Sequence, residues 1–200
     1  MKVAVVGATG LIGKAVATLL TDKGHEVVQV SRHTKPGVDI TDLESIDRFY
    51  AAIGEVDAVI STSFRPTSVV PVSEMSDEGF SQDVKAKLLG QVNLVRHGLS
   101  KVRPGGVFIL TGGIVPPWPK TSMLALIEGG LEGFVQAAAR DFQDAHRIVI
   151  VHPPVVREWA IKVGLDGSWP NAATVAEAYL KALEGKTTGQ PVFVEGYSPA

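Results

Sequence analysis

Residues 3–20 read VAVVGATGLIGKAVATLL: an apolar run of strand length, a glycine-rich turn, and a segment of helical character. Val3 to Val6 are apolar without a break, as expected of a strand covered on both faces. Gly7, Gly10 and Gly13 then recur at every third position. A chain that must turn sharply, bring its backbone up to a pyrophosphate and seat a helix closely on the strand has no room for Cβ atoms at such points. The helix that follows opens with free N–H groups, and those of the turn and first helical residues (Thr9, Gly10, Leu11, Ile12 and Gly13) face the phosphates in such a unit. Glycine turns also serve packing alone. The position of this one, between a strand and a helix, favours a bound dinucleotide.

Outward from that unit, short apolar runs recur at 26–31, 57–62, 105–111, 147–152 and 190–195. Helical patterns separate them at 12–22, 41–53, 76–101, 121–144 and 172–184. Thr41 and Ser76, each followed by acidic residues, are expected N-caps, and Gly24, Gly54 and Gly185 are expected left-handed C-caps. The alternation predicts an α/β fold: a Rossmann-type, doubly wound parallel sheet of about seven strands, one of them a short strand before Asp39. No repeat, linker or low-complexity tract interrupts it, so residues 1–200 are expected to form a single domain.

Composition narrows the function classes. With 19 basic against 21 acidic residues, no net field favours nucleic acid or an anionic membrane. The absence of cysteine removes disulfides, thiolate metal sites and a cysteine nucleophile, and suits a reducing compartment. No apolar stretch approaches spanning length, so a cytoplasmic protein is expected. The five histidines show no metal-ligand spacing, and no metal site is expected.

The second strand bears on the cofactor. An NAD-selective site places Asp or Glu at this strand's end to bind the ribose hydroxyls. Here the end reads Ser31, Arg32, His33, Thr34, Lys35. Arg32 can stack on adenine and pair with a 2′-phosphate, with Ser31 and Lys35 assisting, which points to NADP. The alternative is a solvated basic turn.

Taken together, these residues resemble a short-chain dehydrogenase/reductase over essentially the whole chain. Gly7–Gly13 (GATGLIG) is similar to that family's glycine motif. Asp39-Ile40 resembles its adenine-contacting pair, and Ser61-Thr62-Ser63 stands where the family lines the cofactor with Asn-Ala-Gly. Thr111-Gly112-Gly113 falls where the family carries its catalytic serine, LEGFVQAAARDF at 131–142 resembles its helix after the catalytic tyrosine and lysine, and TGQPVFVEG at 188–196 resembles its last strand. The resemblance implies an NADP(H)-dependent oxidoreductase acting on a small carbonyl-type molecule, and a homodimer formed through the helices at 76–101 and 121–144.

The departures carry as much information. The family's Tyr-x-x-x-Lys pair falls on Leu124 and Glu128, and none of Tyr50, Tyr179 and Tyr197 has a lysine four residues later. The family's helix asparagine falls on Lys87, and its Pro-Gly after the sixth strand becomes Pro153-Pro154. Three residues are candidates to handle the proton instead. Thr111 either polarises a substrate oxygen or caps a turn. Lys87 either presents an ammonium to a carbonyl or lies on a helix surface. His152, at a strand end, is the histidine placed to act as an acid. Trp118, Trp159 and Trp169 either line an apolar pocket or anchor loops. Two functions follow: a reductase with a non-standard proton donor, or a non-catalytic NADP(H)-binding sensor or accessory subunit.

Overall fold

The computed structural model describes residues 1–63 and 68–197. Six parallel strands form one sheet: β1 (Lys2–Val6), β2 (Glu26–Val30), β3 (Val56–Ser61), β4 (Val102–Thr111), β5 (Arg147–His152) and β6 (Pro191–Phe193). Their order is β2-β1-β3-β4-β5-β6, and every neighbouring pair is parallel. The strands read as unbroken apolar runs because alternate residues feed two separate cores. Ala4, Val6, Val59, Phe108, Leu110, Ile148 and Ile150 face one layer, whereas Val3, Val5, Ile60, Val107, Ile109, Val149 and Val151 face the other. Helices α2 (Leu43–Ile53), α4 (Gly90–Gly98) and α5 (Ser122–Phe142) cover the first. Helices α1 (Leu11–Asp22) and α7 (Ala172–Glu184) cover the second. At about 1.5–3 kcal/mol for each large side chain buried, these two layers carry the fold.

The doubly wound architecture is therefore present, with six strands among the described residues instead of about seven. The expected strand before Asp39 is reduced to one bridge between Ser31 and Gly37. The reason lies in Thr34, whose hydroxyl accepts the Ser31 N–H at 2.7 Å and donates to the Pro36 carbonyl at 2.7 Å. That closes 31–37 into a turn before an extended run can develop.

Cap chemistry corrects two further expectations. Asp42, not Thr41, caps α2 by accepting the Glu44 N–H at 3.0 Å, because Thr41 spends its own N–H and hydroxyl on Asp39 Oδ1. Gly185 ends α7 at φ −72°, outside the left-handed region, while Gly24 lies at +82° and Gly54 at +66°. Ser76 caps its helix as expected, through Gly79 N–H. That helix, α3 (Asp77–Asp83), runs through a π-helical segment at Val84–Leu89 into α4. A short helix, α6 (Arg157–Lys162), lies between β5 and α7 and carries Trp159. No helix among the described residues is long and apolar enough to cross a membrane.

Candidate functional site

The strand order reverses at β1: the chain leaves it for β2 on one side and later returns to β3 on the other. In open α/β sheets a crevice forms at this point, at the carboxyl ends of the strands. Gly7 sits there at φ +88°, with its N–H and that of Ala8 both donating to Val30 O, at 2.7 and 3.0 Å. A Cβ on Gly7 would lie 2.8 Å from the backbone carbon of Thr62, and one on Gly13 would lie 2.5 Å from Thr62 Oγ1. Thr62 itself is fixed, its N–H and hydroxyl both donating to Val6 O at 2.8 and 2.9 Å. Gly7 and Gly13 thus let the start of α1 seat directly on the carboxyl ends of β1 and β3. No side chain caps α1 and no acidic residue lies in its first turn, so its opening N–H groups and positive dipole end remain for an anion. These features fit a dinucleotide pyrophosphate.

At the other end of the crevice, Ser31 is buried and Arg32 is exposed. The Ser31 hydroxyl accepts the His33 N–H at 3.2 Å. Asp39 accepts the N–H and hydroxyl of Thr41 at 2.9 and 2.8 Å. Burial pushes its carboxyl upward, but these two bonds, with Arg32 and Lys85 nearby, outweigh burial and hold it below the usual carboxylate value. Ile40 is buried, where its side chain fills the space a Cβ on Gly90 would need.

Around the ends of β4 and β5 the structure brings Lys87 and His152 together and turns Thr111 away. The Thr111 hydroxyl donates to Ser61 O and receives the Tyr179 hydroxyl at 2.8 Å, inside the layer beneath α7. Its backbone is held from the opposite side by Gln91, which accepts Thr111 N–H at 2.9 Å and donates to Thr111 O at 2.8 Å. Thr111 is therefore a core anchor whose hydroxyl is already used, which removes it from the proton-handling candidates. The neighbouring Ser61 hydroxyl is buried without a hydrogen-bond partner among the described residues, and Ser63 is half-buried.

Lys87 is not the helix-surface lysine that one sequence reading allowed. The π-helical segment turns it inward, where it is 2% exposed and donates to Glu128 of α5. The second Glu128 oxygen has no hydrogen-bond partner among the described residues and lies 4.0 Å from His152 Nδ1. His152, 4% exposed, stacks on Phe193 at 5.5 Å, and its Nδ1 lies 3.1 Å from Gly113 N and 3.0 Å from Gly113 O, so that it accepts from the first or donates to the second according to its tautomer. Room for this cluster comes from Gly112, where a Cβ would lie 2.5 Å from His152 and 2.6 Å from Glu128.

Burial pushes the Glu128 carboxyl up, against the opposing pull of Lys87 and Gly113 N–H. Burial pulls the His152 imidazole down, with the Gly113 backbone and Glu132 resisting and Lys87 adding to the fall. These shifts act on stability with opposite signs. The unfolded histidine takes up its proton near pH 6.5, before the folded one does, so His152 supplies stability that is full above 6.5 and is lost as pH falls through its own lower value. Glu128 supplies stability that is full below 4.5 and lost as pH rises through its raised value. In thermal scans across mildly acidic pH, His152→Gln is expected to remove the loss of stability that begins below 6.5. An unchanged acid limb would mean that His152 is not held neutral by its surroundings.

Gln91, Glu128 and Tyr179 were not among the residues selected from sequence. Glu128 was visible only as the misfit at a lysine position; Gln91 and Tyr179 gave no local signal. The tryptophans differ among themselves. Trp118 and Trp159 are about half exposed, at 55% and 46%, whereas Trp169 stacks on Tyr197 at 6.4 Å as a loop anchor.

This geometry agrees with the comparisons to known proteins. Residues 3–117 match the NAD dependent epimerase/dehydratase family. The crystal structure of the protein lin1944 from Listeria innocua is 34% identical, with a TM-score of 0.89, covering 97% of this chain and 99% of that one. The chain belongs to the NAD-dependent epimerase/dehydratase family. It is an SDR-type member, as its glycine motif and sheet order also indicate. A small-chain dehydrogenase structure is 25% identical at a TM-score of 0.86, covering 99% of this chain and 97% of that one. A small-chain dehydrogenase in complex with NADPH shares the fold, at 24% identity, a TM-score of 0.85, and coverage of 98% and 97%. No match was found among curated proteins.

Proposed function

We propose that this family member is an NADP(H)-dependent oxidoreductase that acts on a small carbonyl-type substrate with a non-standard proton donor. The observation that carries this reading is the Lys87–Glu128 pair, buried at the carboxyl ends of β4 and β5. A buried ion pair is a poor way to stabilise a fold, since apolar residues of similar volume do as well or better. Its position, where open α/β sheets bind ligands, supports a chemical role.

A bound nicotinamide dinucleotide supplies the hydride. The chain supplies the rest. The α1 N-terminus and the Gly7–Gly13 turn hold the pyrophosphate, while Arg32, with Ser31 and Lys35, holds the 2′-phosphate. Lys87 presents its ammonium proton to the carbonyl oxygen, and Glu128 holds that ammonium in place. An ammonium here does what the absent tyrosine does elsewhere in the family, donating a proton as the oxygen gains charge.

Arg32 tests the cofactor choice. Arg32→Ala is expected to weaken NADPH binding by about tenfold, the loss of one charge-assisted contact, and to leave NADH binding nearly unchanged. Fluorescence titration of both cofactors measures this, and equal losses for the two would rule out the 2′-phosphate contact.

A second reading, a non-catalytic NADP(H) sensor or accessory subunit, is favoured by the Thr111 hydroxyl lying within the core and by Leu124 at the tyrosine position. NADPH oxidation over a panel of aldehydes, ketones and quinones separates the two readings. Tight NADPH binding with no turnover on any member would select the sensor.

A further inference from the structure

His152 lies between two carboxylates one helical turn apart on α5. Its Nδ1 is 4.0 Å from Glu128 Oε2, and its Nε2 is 3.9 Å from Glu132 Oε2. The side chains of Lys87, Glu128 and His152 are 3%, 4% and 5% exposed, whereas Glu132 is 38% exposed. The groups thus run in one line from solvent inward: Glu132, His152, Glu128, Lys87. Two atoms along it, His152 Nε2 facing Glu132 and Glu128 Oε2 facing His152 Nδ1, are buried without a hydrogen-bond partner among the described residues. A buried polar atom left unpaired costs about 1–3 kcal/mol, and two in succession on one line ask for a reason.

We infer that Glu132, His152, Glu128 and Lys87 form a proton relay that reloads the Lys87 ammonium from solvent on the α5 side. The inference rests on the oxidoreductase reading above. A side-chain shift of about 1 Å brings either gap to hydrogen-bond length. The balance is one proton in and one proton out. Lys87 gives a proton to the reduced substrate oxygen and becomes a neutral amine. His152, with its proton on Nδ1, takes a second proton at Nε2 from water by way of Glu132 and gives the Nδ1 proton to Glu128 at Oε2. The Glu128 carboxyl, now neutral, passes a proton to the Lys87 amine and returns to the carboxylate, and His152 is left neutral with its proton on Nε2. The groups facing His152 are Glu128 and Glu132 from α5, Lys87 from the π-helical segment, the Gly113 backbone, and the ring of Phe193. The raised Glu128 and lowered His152 values bring the two groups towards each other, which favours transfer between them.

Glu132→Gln is the sharpest test, because the residue is partly exposed and its loss leaves the buried cluster packed. NMR titration of the His152 ring in NADPH-bound protein is expected to show its pKa moved downward by Glu132→Gln. In NADPH oxidation with whichever carbonyl the wild type reduces, kcat is expected to fall about tenfold, with a larger solvent deuterium isotope effect and unchanged NADPH affinity. His152→Gln is expected to lower kcat further, by about 10²-fold, again without loss of NADPH binding. If the His152 titration is indifferent to Glu132→Gln, or the isotope effect stays at the wild-type value, the relay is overturned. Those results differ from failure of the underlying reading, which would show as a wild-type protein that binds NADPH and reduces no carbonyl.

Discussion

Gly7→Ala is expected to abolish measurable dinucleotide binding and to destabilise the protein by about 2–4 kcal/mol, combining left-handed strain with overpacking. Two independent penalties meet at this residue. Its φ of +88° is one that a side chain resists, and the added Cβ would lie 2.8–2.9 Å from the backbone of Thr62 and Ser63. Neither obstacle yields easily. Thr62 is bonded to Val6 O through both its N–H and its hydroxyl, so the β3 end cannot retreat without breaking its contact with β1. The chain would instead lift Gly7 and the start of α1, moving the N–H groups that would hold the pyrophosphate. Gly133→Ala is the internal control. Beyond its own helix, nothing among the described residues lies within 4 Å of the Cβ it would add, and it is exposed within α5, so the change is expected to stabilise by about 0.5–1 kcal/mol and leave binding alone. NADPH fluorescence titration and thermal unfolding of both variants check this. A Gly7→Ala protein that binds like the wild type would show that the turn serves packing alone.

The contrast between these glycines marks what sequence could and could not carry. Gly7 was legible because its spacing with Gly10 and Gly13, and its place between a strand and a helix, constrain backbone geometry locally. The strands were legible for a related reason: residues that alternate between two cores leave an unbroken apolar run. What depended on distant partners was not. The hydroxyl of Thr111 is taken by Tyr179, 68 residues further on, and nothing near either residue announces the pairing. Gln91 is one polar residue in an amphipathic helix until its amide meets both backbone groups of Thr111. The seventh strand failed through local chemistry that was overlooked, the Thr34 hydroxyl closing a turn. The inward direction of Lys87 followed from a π-helical segment, and a 3.6-residue period cannot reveal one.

Lys87→Met is expected to be the most damaging substitution in the buried cluster, costing about 3–5 kcal/mol because it strands the Glu128 charge in the interior. Glu128 would respond by taking up a proton more readily, since burial already pushes its carboxyl up and Lys87 is the strongest force opposing that rise. Pairing the change with Glu128→Leu removes both charges together. Stability of the double variant is then expected to return to the wild-type value or exceed it by about 1–4 kcal/mol. Activity should not follow. If Lys87 delivers the proton, NADPH oxidation with a reducible carbonyl should remain about 10²–10⁴-fold below wild type in the double variant, with NADPH still bound. A fold held by this ion pair predicts the reverse, a double variant that stays unstable. A third variant, Lys87→Glu with Glu128→Lys, keeps the pair but moves the ammonium to α5, at the position where the family's lysine falls. It should recover stability ahead of activity, because the carboxylate would then stand where the proton has to be given up. Thermal unfolding and steady-state rates on the three proteins separate what the pair does for folding from what it does for chemistry.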